Sequence, residues 1–138
     1  MRGFRTNQAG GNNPKILTII DGAYKDETIG WQANASVGSI HINTDNTGYT
    51  FESTNWGVQP TVTFRPAVDM SEYKTIIIKV DTNNASYRVE ICDENNNLIA
   101  TVYDNVETSV DVSNISGRLG LRQAYTRFDV FELKLVKA

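Results

Sequence analysis

From Lys15 onward the chain alternates short apolar runs with clusters of Gly, Asn, Asp and Pro, which is the pattern of strands joined by turns. The spacing predicts strands over Ile16 to Ile20, Thr28 to Ala33, Ser39 to Asn43, Tyr49 to Thr54 and Thr61 to Arg65. A second series follows over Thr75 to Asp81, Tyr87 to Asp93, Leu98 to Tyr103, Thr108 to Val112, Leu119 to Gln123 and Arg127 to Val136. No amphipathic helix of useful length interrupts them. Alternation is clearest in the second series, where Ile76, Ile78 and Val80, then Val89 and Ile91, then Leu98, Ala100 and Val102, then Thr108, Val110 and Val112 each mark a core-facing side.

Two local features refine this reading. In the last strand the apolar phase slips from Phe128 and Val130 to Phe131, Leu133 and Leu135, which predicts a β-bulge near Val130. Asp93-Glu94-Asn95-Asn96-Asn97 predicts a tight hairpin, because Asn tolerates the positive φ that such turns require. About ten short strands, evenly punctuated by turns, give an all-β chain: a two-sheet antiparallel jelly-roll β-sandwich over residues 15–138. Residues 1–14 carry Gly10-Gly11, several side-chain amides and only Phe4 as a bulky apolar group. They are expected to form an extended, flexible N-terminal arm, with Arg2, Phe4 and Arg5 as its anchoring groups.

Length and charge narrow the function. A chain of 138 residues is the size of one domain. No apolar run approaches the roughly 18 residues of a membrane helix. A net charge of −3 and a pI near 5.1 argue against nucleic-acid binding, which needs a basic face to displace counterions. Cys92 is the single cysteine, so no internal disulfide forms. The start, Met-Arg-Gly-Phe-Arg-Thr-Asn, lacks the apolar stretch of a secretory signal, so a native Met1 implies cytoplasmic synthesis without export by the general route.

Catalytic chemistry finds little material. His41 is the single histidine and points opposite to Ile40 and Ile42; with one His and one Cys, neither a zinc site of ordinary composition nor a Ser-His-Asp arrangement is available. The carboxylates fall in turns or scatter over strand faces, and nothing pairs them for glycoside cleavage. An enzyme is not expected. Trp56, in Asn55-Trp56-Gly57, is the better placed of the two tryptophans for stacking on a sugar, the alternative being that Trp31 and Trp56 plug ends of the sandwich. Arg65, Arg88 and Arg122 fall at the phase opposite to the core, with Tyr125 in the turn after Gln123. Aligned on neighbouring strands, they would offer guanidinium forks to sugar hydroxyls or a carboxylate. The competing reading is a solvated face in which Arg88, Glu90 and Arg122 pair across strands.

Four stretches resemble a known family. Val68 to Val80 (V-D-M-S-E-Y-K-T-I-I-I-K-V) resembles the D-(L/M)-S-x-Y-(K/T)-x-(I/L) lead into a central strand of carbohydrate-binding modules of galactose-binding-like jelly-roll type. Ser86 to Asn95 is similar to their Y-x-V-x-I-x-D-E-N-G strand and turn, Val110 to Gly117 to their V-D-(I/V)-S-x-(I/L)-x-G, and Phe131 to Leu135 to their closing strand. The resemblance covers roughly residues 60–137. It implies sugar binding, with Trp56, Arg65, Arg88, Arg122 and Tyr125 as the site. It also implies a structural calcium near the first loop and last strand, for which Asp21, Asp26 and Glu132 offer oxygen ligands; no cofactor is required. A free-standing, unexported chain with a Gly/Asn-rich arm looks like a bacteriophage virion protein. The expected function is a non-catalytic virion surface protein, either a capsid decoration or a tail- or neck-associated part, docked to other virion proteins through its arm and touching a cell-surface glycan. The alternatives are a stand-alone carbohydrate-binding module of a secreted glycan-degrading enzyme, and a purely architectural virion component, for which a homo-oligomer is expected.

Overall fold

A computed structural model describes residues 15–33, 38–53, 62–123 and 127–137. The arm expected over residues 1–14, with Arg2, Phe4 and Arg5, lies outside the described residues. The strands are β1 (Ile16–Asp21), β2 (Tyr24–Lys25), β3 (Trp31–Ala33), β4 (Gly38–Ile42), β5 (Tyr49–Ser53) and β6 (Thr63–Pro66). After them come β7 (Tyr73–Asp81), β8 (Arg88–Cys92), β9 (Leu98–Tyr103), β10 (Thr108–Asp111), β11 (Gly120–Arg122) and β12 (Arg127–Lys137). They form two antiparallel sheets. One runs β10-β7-β12-β1-β2, with β5 also on β12 and β4 on β5; the other runs β3-β6-β11-β8-β9. The chain is a two-sheet β-sandwich, as the alternation predicts.

The core lies between the sheets because each strand presents one apolar side. Ile76, Ile78 and Val80 of β7 are wholly buried, and Val89 and Ile91 on the inner face of the other sheet belong to the same buried cluster. Phe51 stacks parallel on Phe128 at 5.0 Å between centroids, and Phe64 meets Phe51 edge-on at 5.0 Å. Such aromatic pairs add about 0.5–1.5 kcal/mol beyond the area they bury.

The turn residues of the family-like motifs have local work to do. Asp69 accepts a hydrogen bond from the Ser71 amide and caps a single 3₁₀ turn, Met70–Glu72, whose Met70 is buried in the core. Asp111 accepts from both the amide and the hydroxyl of Ser113. Asp93 accepts from the amides of Asn95 and Asn97 and closes the β8–β9 hairpin, with Asn96 at φ 67°. These are Asx turns, in which a short carboxylate takes the place of a backbone acceptor.

The bulge predicted near Val130 is present. Val130 pairs with Val80 and Glu132 with Lys79, so Phe131 is the extra residue on β12. Phe131 is therefore only half-buried, whereas its apolar phase suggested a core position. A second bulge corrects another expectation. Ile91 pairs with Ala100 but Cys92 pairs with Leu98, so Ile99 is inserted and Leu98 turns to solvent, 55% exposed, instead of joining the core. The strand expected from Thr28 begins only at Trp31, because the Asp26 carboxylate captures the Thr28 amide and hydroxyl.

Gly48, beside the β12 bulge, has no room for a side chain: a Cβ there would lie 2.1 Å from the Val130 carbonyl oxygen, and backbone cannot yield as a side-chain tip can. Gly48→Ala is expected to lower unfolding stability by about 1–3 kcal/mol, the usual cost of overpacking. Gly30→Ala, whose Cβ would meet only Ala67 at 3.9 Å, is expected to leave it unchanged. Urea unfolding of the two variants side by side checks the contrast.

Candidate functional site

Alternation fixes what the five-stranded sheet shows to solvent. Phe64, Leu121, Val89 and Ile91 face the core and Trp31 packs against it, so the residues between them face outward. The register then aligns these outward residues in rows. Gln32 pairs with Arg65, Gly120 with Cys92, and Cys92 with Leu98. In the next row Thr63 pairs with Arg122, Arg122 with Glu90, and Glu90 with Thr101. Beyond it Arg88 pairs with Tyr103.

Two of the three arginines singled out in the sequence meet on one residue. Arg65 donates to the carbonyls of Asp93 and Arg118, each at 3.1 Å, and to the Asn96 side-chain oxygen at 2.7 Å. Arg122 donates to Glu90 at 2.9 Å and to the Asn96 carbonyl at 3.0 Å. Arg118 reaches across to Gln32. Between them Gly120 leaves the space that the Arg65 guanidinium occupies, since a Cβ there would lie 3.1 Å from Arg65 Nη1 and 2.6 Å from Cys92 Sγ. The Cys92 thiol is sealed beneath, and burial pushes its pKa up against the pull of Arg122 and Arg65. Arg88 differs: it is exposed, and its side chain makes no ion pair or hydrogen bond among the described residues.

Trp56 and Tyr125 lie outside the described residues. The strands that flank their segments meet directly in the Thr63–Arg122 pair. The Gln123 side-chain oxygen, next along the chain from Arg122, and Arg127 Nε, at the start of β12, are buried without a partner among the described residues, each a group that costs about 1–3 kcal/mol when left so. Trp31 is a core wedge, edge-on to Phe51 at 4.9 Å.

The sandwich has known counterparts. It matches the C-terminal family-6 carbohydrate-binding module of a marine laminarinase from Zobellia galactanivorans with a TM-score of 0.55 at 14% identity, covering 88% of this chain and 99% of that one. It matches a cleaved adhesin domain of Lys-gingipain from Porphyromonas gingivalis with a TM-score of 0.55 at 12% identity, covering 91% and 99%. A carbohydrate-binding module of Cellvibrio mixtus lichenase 5A, in complex with cellotriose, matches with a TM-score of 0.50 at 12% identity, covering 89% and 96%. The fold is similar to that of carbohydrate-binding modules. No protein-family model and no curated protein matches the sequence. None of these three structures is a bacteriophage protein, so the virion context gains nothing from them.

The residues expected to hold calcium are not assembled. Asp21 and Glu132 pair across β1 and β12, but the Lys134 ammonium sits against both, at 3.4 and 2.9 Å, where a cation would have to go. Asp26 is turned toward Thr28. The carboxyl neighbour of Glu132 is instead Glu107, whose pKa their shared hydrogen bond raises while lowering that of Glu132. Among the described residues no three His, Cys, Asp or Glu side chains are grouped as a metal requires.

His41 is equally committed. Its Nε2 lies 2.6 Å from a Glu52 oxygen and its Nδ1 lies 3.1 Å from the Ile42 carbonyl. Both partners only accept, so the doubly protonated ring satisfies both, and the Glu52 hydrogen bond raises the His41 pKa.

Two predictions follow from these contacts. Arg65→Ala unties the β8–β9 hairpin from the Arg118 segment and is expected to cost about 1–3 kcal/mol of stability, whereas Arg88→Ala is expected to stay within about 0.5 kcal/mol of the parent; thermal unfolding of both tests this. For His41, a raised folded pKa means that the stabilisation is fully present below the ordinary value of 6.5 and is lost as pH rises through the folded value. Because the pair is exposed, the effect is at most about 0.2–1 kcal/mol. Urea midpoints at acidic and alkaline pH should differ by this contribution in the parent, and His41→Gln should remove it.

Proposed function

We propose that this protein is a non-catalytic carbohydrate-binding module that takes its ligand on the outer face of the five-stranded sheet. The observation that carries the reading is the run of outward polar and aromatic groups on hydrogen-bonded strands, ending in Arg88, whose side chain makes no ion pair or hydrogen bond among the described residues, and the exposed Tyr103. Tyr103, 54% exposed, offers a flat ring for the C–H face of a sugar. Arg88 offers uncommitted donors for hydroxyls, and the Arg122–Glu90 pair in the next row supplies both a donor and an acceptor. Trp56 and Tyr125, which the sequence offers as sugar-binding residues, lie outside the described residues. Arg65 serves to hold the hairpin that frames the proposed site.

The company the fold keeps supports a choice of ligand class. One similar module comes from a laminarinase and another was solved with cellotriose, which favours a β-glucan. The single histidine is tied to Glu52 and the single cysteine is buried, so neither presents a nucleophile, and a binding role fits. The finer reading of a virion surface protein would rest on residues 1–14, outside the described residues; the module reading rests on the sheet.

Native electrophoresis through gels containing laminarin or lichenan is the test. The parent should be retarded, and Arg88→Ala and Tyr103→Ala should each weaken binding about tenfold, or roughly 1.4 kcal/mol, without loss of stability. Free migration of the parent in both glucans would overturn the reading.

A further inference from the structure

The β1–β2 edge of the seven-stranded sheet carries a groove. β2 has only two residues and covers β1 at Ile20 and Asp21, so that among the described residues the outer edge of β1 has no strand partner from Ile16 to Thr18. Beside it opens a shallow groove of about 450 Å³ lined by Ile16, Leu17, Thr18, Asp21 and Tyr24. This lies within the span of about 300–1,000 Å³ typical of ligand clefts.

The turn at its rim is locked from within. Gly22 takes φ 59° and donates its amide to the Phe131 carbonyl at 3.1 Å. The Lys25 ammonium donates to the carbonyls of Ala23 at 3.1 Å and of Asn46 at 2.8 Å, and the Asp26 amide donates to Ile19. What this locked turn displays is Tyr24, 54% exposed, whose phenol makes no hydrogen bond among the described residues. Opposite Tyr24 in register stands Asp21, its carboxylate more than half exposed and met, among the described residues, by Lys134 at 3.4 Å.

We propose that this groove is a second carbohydrate-binding site, in which a pyranose ring stacks on Tyr24 and hydrogen-bonds its hydroxyls to Asp21 and Thr18. The proposal rests on the carbohydrate-binding reading above and adds a site on the other sheet. A sugar presents one apolar C–H face and a rim of hydroxyl donors; a fixed aromatic ring beside a carboxylate with free lone pairs matches both. Preorganisation of the turn removes the ordering cost that a floppy loop would bring to binding. Ile16 and Leu17 extend the apolar floor. An added peptide strand fits less well, because the free edge spans only three residues before the β1 register shifts between Thr18 and Ile20, and such a bulge turns an edge away from strand pairing. Two sites on two sheets would let one protein hold a polymer at two points, raising avidity without new contacts at either.

The experiment is an amide-resolved NMR titration of the whole chain with laminarihexaose and, separately, cellohexaose. Saturable shifts are expected at Thr18, Asp21 and Tyr24 as well as at Glu90 and Arg122. Tyr24→Ala should abolish the first set, a loss of at least about tenfold in affinity, and leave the second unchanged; Tyr24→Phe should keep the first set within about twofold, since the ring remains. Its spectrum also reports whether the variant is folded. Shifts at Glu90 and Arg122 alone would overturn this inference and leave the proposed function standing. Shifts at Thr18, Asp21 and Tyr24 alone would uphold it and remove the sheet-face site. No shift with either oligosaccharide would overturn both.

Discussion

The pairing of β12 with three other strands is the constraint on which the sandwich depends. Along one edge it runs beside β7 for nearly its whole length; along the other it pairs first with β5 and then with β1. The change of partner falls at Phe131, the one residue that β7 skips. There the bulge offers its carbonyl to Gly22, while Gly48 passes so close to Val130 that only a glycine fits. Both hairpins, β1–β2 and β4–β5, are thus hung from a single irregularity. The aromatic stack of Phe51 on Phe128 fills the space beneath that junction.

Much of this was legible in the chain because the signals are local. Period-two alternation marks β7 and β8 without ambiguity, and Asp69, Asp93 and Asp111 announce their turns because an Asx side chain needs only the next two residues to act. The phase slip in β12 betrays its bulge because apolar residues flank it in both registers. In β9 the same device is invisible: Leu98, Ile99 and Ala100 are all apolar, so an extra residue leaves no mark in the pattern, and only pairing with Cys92 reveals it. β2 is too short for any periodicity.

The candidate site was legible as a face but not as a division of labour. Alternation places Arg65, Arg88 and Arg122 outward alike. Which of them is spent depends on the β8–β9 hairpin curling back so that Asn96 lies between Arg65 and Arg122, a non-local event that no spacing rule encodes. That Asp21, Asp26 and Glu132 are not grouped has a more readable reason. Glu132 and Lys134 are two apart on one strand and share a face, so the ammonium was always going to reach the carboxylate first. Tyr24 carried no motif; its prominence comes from a turn stabilised by Lys25 from a distance.

The branched pairing of β12 also ties two parts of the molecule together. The β1–β2 turn, with its displayed tyrosine, and the β4–β5 hairpin, with the His41–Glu52 pair, hang from the same bulge and are joined directly by the Lys25 hydrogen bond to the Asn46 carbonyl. An insertion or deletion in either one would be felt at the other, so the two edges are expected to change together and not singly.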